Sequence, residues 1–163
     1  MRAVSNSGPL IHLSWIGHLD LLTKLCEEVV VPPAVRDEVL AAAEGTLGLN
    51  RIQGALTSGD LVVRAPDSTG GSAYSLDLGE TETLLLAEQI NADCVLTDDR
   101  SVRRAAVRRG LQVKGTLGIL PDARDAGLIP AALPLVHELR RVGQWFSDDL
   151  VKAVAEEEAG EQA

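Results

Sequence analysis

The stretch Glu28-Val29-Val30-Val31-Pro32-Pro33-Ala34-Val35 decides the fold class, because a strand signal runs directly into a helix signal. The β-branched run at 28–31 is typical of a strand buried on both faces of a parallel sheet. Proline fits the first turn of a helix, so Pro32 and Pro33 end the strand and open a helix at about 34–43. A strand that passes straight into a helix indicates a βα unit.

The same alternation repeats along the chain. We predict strands over 2–6, 28–31, 61–63, 94–97 and 112–114. We predict helices over 10–24 (one helix broken near Gly17, or two short ones), 34–43, 79–91, 99–109, 117–126, 130–142 and 147–158, and an amphipathic segment over 47–57. The stretch 65–77 is rich in Pro, Gly and Ser and indicates a loop inside one domain. This pattern predicts an α/β protein with a mainly parallel sheet, a single domain over 1–163 in which 130–163 supplies C-terminal helices and an acidic tail.

Size and composition set further bounds. The chain has 163 residues, of which 45% are apolar and 24% charged, which suits one globular domain with its own core. Cys26 and Cys94 are isolated and form neither a disulfide framework nor a zinc pattern, which favours a reducing cytoplasm. We find no signal-peptide pattern and no apolar run of the roughly 20 residues that would span a bilayer.

The charge is negative overall but unevenly distributed. A formal charge of −9 argues against a protein that coats nucleic acid by bulk charge. Acidic residues crowd the end of the chain at Glu156, Glu157, Glu158 and Glu161, whereas basic residues gather at Arg100, Arg103, Arg104, Arg108, Arg109 and Lys114. Such a local basic patch can still hold a phosphate backbone. With four aromatic residues in the chain (two Trp, one Tyr, one Phe), extensive base stacking is not expected.

Oxygen-bearing side chains follow the strands and open the helices in a suggestive order. Asn6 and Asp98 each follow a short apolar strand, and Glu38 and Glu80 lie near helix starts. Groups just past the carboxyl ends of parallel strands converge on one crevice. Oxygen ligands in such a crevice suit Mg²⁺ or Mn²⁺. The sequence therefore predicts a metal site formed by Asn6, Glu38, Glu80 and Asp98.

Glu38 has a plain alternative. In a helix that starts near residue 34, it shares a face with Val35, Val39 and Ala42, and a carboxylate that faces a core is costly unless it is paired or bound to a metal. If the helix is rotated, Glu38 is instead a solvated residue at the rim.

The acids at the start of the predicted helix over 79–91 also have a structural alternative. Asp77 and Glu80 match a capping box, so Glu80 taken alone is better explained as part of a helix start than as a metal ligand. The structural and the metal-binding roles could also divide between Glu80 and Glu82.

The other positions also have structural alternatives. One of Asp98 and Asp99 can cap the next helix, and Asp99 fits this role better, as an acid in the first helical turn. Asn6 could be a turn former or a neutral ligand, with Ser7 orienting a ligand or a water. Thr116 is expected to cap the helix that follows it.

The basic residues and the histidines offer weaker signals of function. Arg100, Arg104 and Arg108 share one helix face, which is either solvated or a substrate-side patch, and Lys114 could contact a phosphate. The histidines show no metal-ligand spacing, and neither a nucleophile elbow nor a phosphate-binding glycine loop is present.

Taken together, the chain resembles the PIN-domain family, and within it the VapC-like toxin branch of toxin–antitoxin systems. The matching segments are Ser5-Asn6-Ser7-Gly8-Pro9-Leu10-Ile11, Leu19-Asp20-Leu21-Leu22, Val30-Val31-Pro32-Pro33-Ala34-Val35-x-x-Glu38, Leu78-Gly79-Glu80-x-Glu82, Leu96-Thr97-Asp98-Asp99-Arg100 and Lys114-Gly115-Thr116-Leu117-Gly118-Ile119-Leu120. Each segment is weak alone, but their order and spacing along nearly the whole chain are fairly specific.

The resemblance implies a three-layer α/β/α sandwich, an acidic Mg²⁺ or Mn²⁺ site, endoribonuclease activity, a homodimer and a cognate antitoxin that blocks the site. The acidic positions of the family fall on Asn6, Glu38, Glu80 and Asp98, with Asp99 adjacent. Asn6 departs from the usual aspartate, which removes one negative charge and should lower cation affinity, although an amide oxygen can still coordinate these ions.

Three functions are consistent with these features. The first is a metal-dependent ribonuclease in which Glu38, Glu80, Asp98 and Asp99 are catalytic and Ser7, Arg100, Arg104 and Lys114 contact the RNA. The second is a binding module with weakened catalysis that acts through an antitoxin or RNA, and Asn6 motivates it. The third is a phosphorylation-receiver domain, against which the late position of Asp98-Asp99 argues.

Overall fold

A computed structural model describes residues 1–68 and 76–161 of the protein, so 69–75 of the expected loop over 65–77 lie outside the described residues. In the described part, the strands are β1 (Arg2–Ser5), β2 (Glu28–Val31), β3 (Val62–Val63), β4 (Cys94–Leu96) and β5 (Val113–Lys114). They form one sheet in the order β3-β2-β1-β4-β5, and every strand pair in it is parallel. The predicted parallel sheet is confirmed.

The helices follow the expected order closely. They are α1 (Ser7–Trp15), α2 (Asp20–Leu25), α3 (Pro33–Ala43), α4 (Gly48–Ser58), α5 (Leu78–Gln89), α6 (Arg100–Arg108), α7 (Thr116–Asp125), α8 (Leu133–Arg141) and α9 (Asp148–Glu161). The segment 10–24 contains two helices, and Gly17 between them has a left-handed φ of 76°. No helix in the described ranges is long and apolar enough to cross a membrane.

Helices cover both faces of the sheet, which gives three layers. Along β2, Val29 and Val31 point into a core shared with α1, α2, α3 and α7, whereas Val30 points into a second core shared with α5 and α6. All three valines are 1% exposed, because a strand in the middle of such a sandwich has no solvent face. The expected α/β/α sandwich is confirmed.

The parallel sheet gathers the ends of its strands at one edge. In the register of β1 and β4, Ser5 lies opposite Leu96, so the residues that follow these two strands are neighbours. The backbone N–H of Asn6 donates to the carbonyl of Leu96 at 2.8 Å. Asn6 and Asp98, which are 92 positions apart in sequence, are therefore held on the same edge of the sheet.

At the C-terminal end, part of the expected acidic tail lies inside the protein. Glu158 on α9 is only 8% exposed. Its Oε1 accepts the backbone N–H of Ala132 at 2.7 Å, and its Oε2 accepts that of Leu133 at 3.1 Å, both at the start of α8. Glu158 thus satisfies backbone donors that the first turn of a helix leaves unpaired. Within the acidic end of the chain, Glu158 therefore has a structural role.

Candidate functional site

One cavity of about 280 Å³ lies at the carboxyl edge of the sheet. The described residues that line it are Asn6, Ser7, Gly8, Glu38, Asp77, Glu80, Asp98 and Asp99. The structure therefore brings together the four predicted metal positions, the adjacent Asp99, and Asp77. Among these described residues there is no lysine or arginine, so the lining carries negative charge without a basic side chain facing it.

Asp98 is the most tightly held of these acids. Its Oδ2 lies 2.7 Å from Nδ1 of His12 and accepts the hydroxyl of Thr116 at 2.6 Å. Its Oδ1 accepts the backbone N–H of Thr116 at 2.7 Å. Burial by itself would raise the pKa of Asp98, but the hydrogen bonds and charge of His12 and the hydrogen bonds of Thr116 lower it below its ordinary value. A carboxylate offers about four acceptor positions, so Asp98 keeps acceptor capacity on Oδ1.

His12 is a functional candidate that the sequence pattern missed. It is 8% exposed, and its ring packs near Trp15 and Phe146, with centroid distances of 5.7 Å and 6.3 Å. Ligand spacing could not reveal it, because its partner Asp98 lies far along the chain. The available signal was a histidine placed between the apolar residues Ile11 and Leu13.

Thr116 has a different role from the expected one. Gly115 is the N-cap residue of α7 and has no side chain to cap the helix, whereas Oδ1 of Asp98 accepts the backbone N–H of Thr116. The Thr116 hydroxyl donates to Asp98 instead, so the expectation that Thr116 caps α7 is wrong. An added Cβ on Gly115 would lie 2.8 Å from Oδ1 of Asp98, which is closer than real Cβ atoms approach. Glycine is therefore needed here for α7 to begin against the carboxylate.

Glu38 faces the cavity and not the core. Val35 and Val39 are buried, and Ala43 continues this buried face, whereas Ala42 and Glu38 are exposed. Of the two orientations considered for Glu38, the exposed one is therefore correct, because Ala43 and not Ala42 continues the buried face of the helix. The Oγ of Ser7 donates to Oε1 of Glu38 at 2.9 Å, which ties the Glu38 side chain to the start of α1.

Glu80 and Asp77 form the expected capping box and also line the cavity. The backbone N–H of Glu80 donates to Oδ1 of Asp77 at 2.8 Å, and that of Asp77 donates to Oε2 of Glu80 at 3.1 Å. Burial raises the pKa of Glu80 above its ordinary value, the hydrogen bond from Asp77 opposes this, and the negative charges of Asp77, Asp99 and Glu38 add to the rise. The surroundings of Glu80 therefore disfavour its ionised form.

Glu82, two residues further along α5, has a purely structural environment. It is 8% exposed and does not line the cavity. Its Oε2 accepts the backbone N–H of Ala34 at 2.9 Å, in the first turn of α3. The two roles considered for the acids of this helix are thus separated, with Glu82 bonded to α3 and Glu80 in the cavity lining.

Asp99 and Asn6 begin helices next to the cavity. Asp99 is the N-cap of α6, and its Oδ1 accepts the backbone N–H groups of Ser101 at 2.6 Å and Val102 at 3.0 Å. Asn6 is the N-cap of α1, but its side chain makes no capping hydrogen bond. The Nδ2 of Asn6 lies 3.4 Å from Oγ1 of Thr97, a long contact that leaves the amide group weakly held in the lining.

The matches to known proteins agree with this arrangement. A family model for the PIN domain (DUF3368) matches residues 2–161. The chain belongs to the PIN-domain family. Members of this family are typically metal-dependent nucleases, and the receiver-domain alternative is thereby excluded.

A solved structure shares the PIN fold at low sequence identity. It is a PilT N-terminus domain protein, SSO1118, from the hyperthermophilic archaeon Sulfolobus solfataricus P2. The match has a TM-score of 0.56 and 21% identity, and it covers 76% of the present chain and 93% of that chain. At this identity the likeness concerns the fold alone. No curated protein matches the sequence.

Of the predicted substrate-binding residues of this PIN domain, one lines the cavity and three lie outside its lining. Ser7 lines the cavity, whereas Arg100 and Arg104 are exposed on α6, which begins immediately after Asp99. Lys114 does not line the cavity and forms an ion pair with Asp122. The arginines are thus placed beside the acidic cavity, and the amine of Lys114 is already engaged.

The oxygen donors of the cavity match the chemistry of a hard divalent cation. Within the described ranges, however, no three Asp, Glu, His or Cys side chains lie close enough together to hold one ion. Mg²⁺ is commonly bound through one or two carboxylates, with waters and substrate phosphates completing its shell. The residues present therefore fit a cation that binds through few direct protein ligands, and they do not form a closed protein cage.

Proposed function

We propose that this PIN domain is an Mg²⁺- or Mn²⁺-dependent endoribonuclease that hydrolyses phosphodiester bonds of RNA. The observation that carries the proposal is a cavity lined by Asn6 and five described carboxylates, with no described basic side chain among them. Negative charges that face one another without a counter-charge are costly. Burial is the main reason that the pKa of Glu80 is raised, and the charges of Asp77, Asp99 and Glu38 add to the rise. A bound divalent cation would supply the missing positive charge.

In this proposal Glu38, Glu80, Asp98 and the amide oxygen of Asn6 surround the ion. One or two of the carboxylates would bind it directly and the other groups would act through bound water, with Asp99 as an assisting acid. When bound, the ion would make a water more acidic and neutralise charge on the scissile phosphate. The chain itself contributes order. Ser7 fixes one oxygen of Glu38, and His12 with Thr116 fixes Asp98.

Substrate binding is assigned to the edge of the cavity. An RNA backbone is repelled by the carboxylates, so it needs positive charge beside them. Arg100 and Arg104 are exposed on α6, directly after the cavity residue Asp99, and can contact phosphates. We assign RNA seating to these arginines and a phosphate-orienting role to Ser7. Lys114 would contribute only if its pair with Asp122 opened.

The test is RNA cleavage by the purified protein with Mn²⁺, with Mg²⁺ and with a chelator. The most informative variant is Glu38→Gln, because Glu38 is exposed and is held in the described structure by the Ser7 hydroxyl. Asp98→Asn is less clean, because it alters hydrogen bonds to His12 and Thr116. Glu44→Gln is the matched control: it makes the same chemical change at an exposed position next to the end of α3, outside the cavity lining.

We expect cleavage only with a divalent cation. We expect Glu38→Gln to lower the rate by about 100-fold or more, as for loss of a group that acts on the reacting phosphate. Glu44→Gln should cleave like the wild type. Cleavage that survives chelation, or a fully active Glu38→Gln protein, would refute this assignment.

The proposal extends to a VapC-like toxin that acts in the cytoplasm as a homodimer and is blocked by a cognate antitoxin. The support is the resemblance of the sequence to that branch, together with apolar side chains exposed on two surfaces. Leu47 is 79% exposed before α4, and Trp145 is 74% exposed between α8 and α9. Light scattering would give the oligomeric state, and co-purification with the product of an adjacent gene, with loss of cleavage, would test the antitoxin.

A second candidate is a PIN-like binding module with weakened catalysis. Asn6 favours it, because a neutral amide stands where the family usually has an aspartate. The discriminating variant is Asn6→Asp. If the wild type is inactive and Asn6→Asp gains Mn²⁺ binding and RNA cleavage, the wild type is a weakened nuclease that acts by binding. If wild-type cleavage is already robust, the nuclease proposal stands.

A further inference from the structure

His12 lies outside the cavity lining and contacts one of the acids that line it. Its Nδ1 lies 2.7 Å from Oδ2 of Asp98. An ionised carboxylate can only accept hydrogen bonds, so Nδ1 carries the proton and donates it. The ring is buried against Trp15 and Phe146, which restricts its rotation. His12 therefore presents a fixed donor to Asp98.

Thr116 completes this support from another element. Its hydroxyl donates to the same Oδ2 at 2.6 Å, and its backbone N–H donates to Oδ1 at 2.7 Å. The side chain of Thr116 is fully buried, so the hydroxyl has little freedom to turn elsewhere. Side chains from α1 and α7 thus hold the same carboxylate. Both His12 and the Thr116 hydroxyl bond to Oδ2 of Asp98, which fills the acceptor positions of that oxygen.

A competing partner for Asp98 lies close by. The position of an added Cβ on Gly115 would be 2.8 Å from Oδ1 of Asp98 and 3.1 Å from Nη2 of Arg103. The guanidinium and the carboxylate therefore approach the same point, although they form no ion pair within the described part of the chain. A less constrained Asp98 could turn toward Arg103 and be masked by it.

We propose that His12 and Thr116 are positioning residues for Asp98, which hold its carboxylate so that Oδ1 stays available to a cation and does not pair with Arg103. The inference rests on the proposed metal site and deepens it. Groups that orient a metal ligand typically contribute 10–100-fold to metal affinity or activity. A merely structural contact between His12 and Asp98 would contribute to stability and leave cation binding unchanged.

The experiment measures Mn²⁺ affinity of the full chain by titration calorimetry, together with thermal unfolding and the separate kcat and KM for RNA. His12→Phe keeps a ring in the aromatic packing and removes the donor. His12→Asn keeps an N–H near the position of Nδ1. Thr116→Val and Thr116→Ser make the same comparison at the second position. His137→Phe, at an exposed site on α8, controls for the substitution itself.

We expect His12→Phe and Thr116→Val to weaken Mn²⁺ binding about 10–100-fold and to lower kcat more than they change KM. His12→Asn and Thr116→Ser should restore affinity to within about threefold, and His137→Phe should match the wild type. If His12→Phe does not fold, the nearly isosteric Thr116→Val decides the question. The double variant that carries Thr116→Val and Arg103→Ala should recover part of the Mn²⁺ affinity that Thr116→Val alone loses.

Two outcomes would overturn the inference, and they can be told apart. If the wild type binds Mn²⁺ and the folded His12→Phe and Thr116→Val proteins bind it equally well, the positioning role is refuted while the proposed function stands. If the wild type itself binds neither Mn²⁺ nor Mg²⁺, the metal site is refuted and the positioning role is refuted with it.

Discussion

Glu82 and Glu158 are buried, whereas Glu38 in the cavity lining is exposed. A buried carboxylate is usually costly and so suggests a functional site, but here the two buried glutamates are structural. Each buried glutamate accepts backbone N–H groups at the start of another helix, which satisfies the carboxylate and helps to fix that helix. The cavity contains the same kind of side chain, but there carboxylates face one another. The gathering of several carboxylates around one cavity, more than burial, distinguishes the acids that we propose as metal ligands from Glu82 and Glu158.

Glu80 and Glu82 offer the sharpest form of this comparison, because they lie two residues apart on α5. We expect Glu80→Gln to lower RNA cleavage by about 100-fold or more, since it removes a proposed ligand. We expect no loss of stability, because glutamine can still close a capping box with Asp77. Cleavage rates and thermal unfolding of the same preparation would check both. A large drop in unfolding temperature would mean that Glu80 is mainly structural.

Glu82 should show the opposite behaviour. Glu82→Ala leaves the partly buried backbone N–H of Ala34 without its partner, which should cost about 1–3 kcal/mol of unfolding free energy. Glu82→Gln keeps an acceptor oxygen and should lose less. Urea unfolding would measure the change, and Mn²⁺ affinity of the folded fraction should stay at the wild-type value. Weakened Mn²⁺ binding in folded Glu82→Gln would break the distinction between the two acids.

The smallest expected effect is the pH dependence of Glu80. Because the folded protein raises the pKa of Glu80, its contribution to stability is fully present below the unfolded pKa and is lost as pH rises through the raised folded value. In metal-free protein, Glu80→Gln should therefore gain unfolding temperature relative to the wild type as pH rises through this window. Saturating Mn²⁺ should remove or reverse that gain. A difference that does not vary with pH would contradict the charge crowding.

Much of the fold could be predicted because its signals are local. The run Val29-Val30-Val31 followed by Pro32-Pro33 marks both a buried strand and the start of a helix, and the rule that parallel strands end at one edge then brings Asn6 near Asp98. The capping box of Asp77 and Glu80 was also readable, because it lies within four consecutive residues. These predictions needed no knowledge of distant contacts.

The rotation of a helix was harder to predict. The stripe of Val35, Val39 and Ala42 left two orientations of Glu38 open, one facing the core and one solvated at the rim. In the folded protein Ala43 is buried and Ala42 is exposed, which turns Glu38 toward the cavity. Whether Ala42 or Ala43 completes the buried face decides whether Glu38 is buried or accessible. The packing of α3 against α1 and α5 determines which of the two it is.

The sequence by itself determined the order of strands and helices, and the edge of the sheet at which the acids collect, because hydrophobic pattern, proline placement and capping act over a few residues. Only the tertiary structure decided which acids are already satisfied. His12 and Asp98 are 86 positions apart, and Ala132 and Glu158 are 26 apart, so neither pair leaves a local mark. Hydrogen bonds of this kind depend on how helices pack on the sheet. They tie Glu158 to the start of α8 and hold Asp98 in the cavity lining.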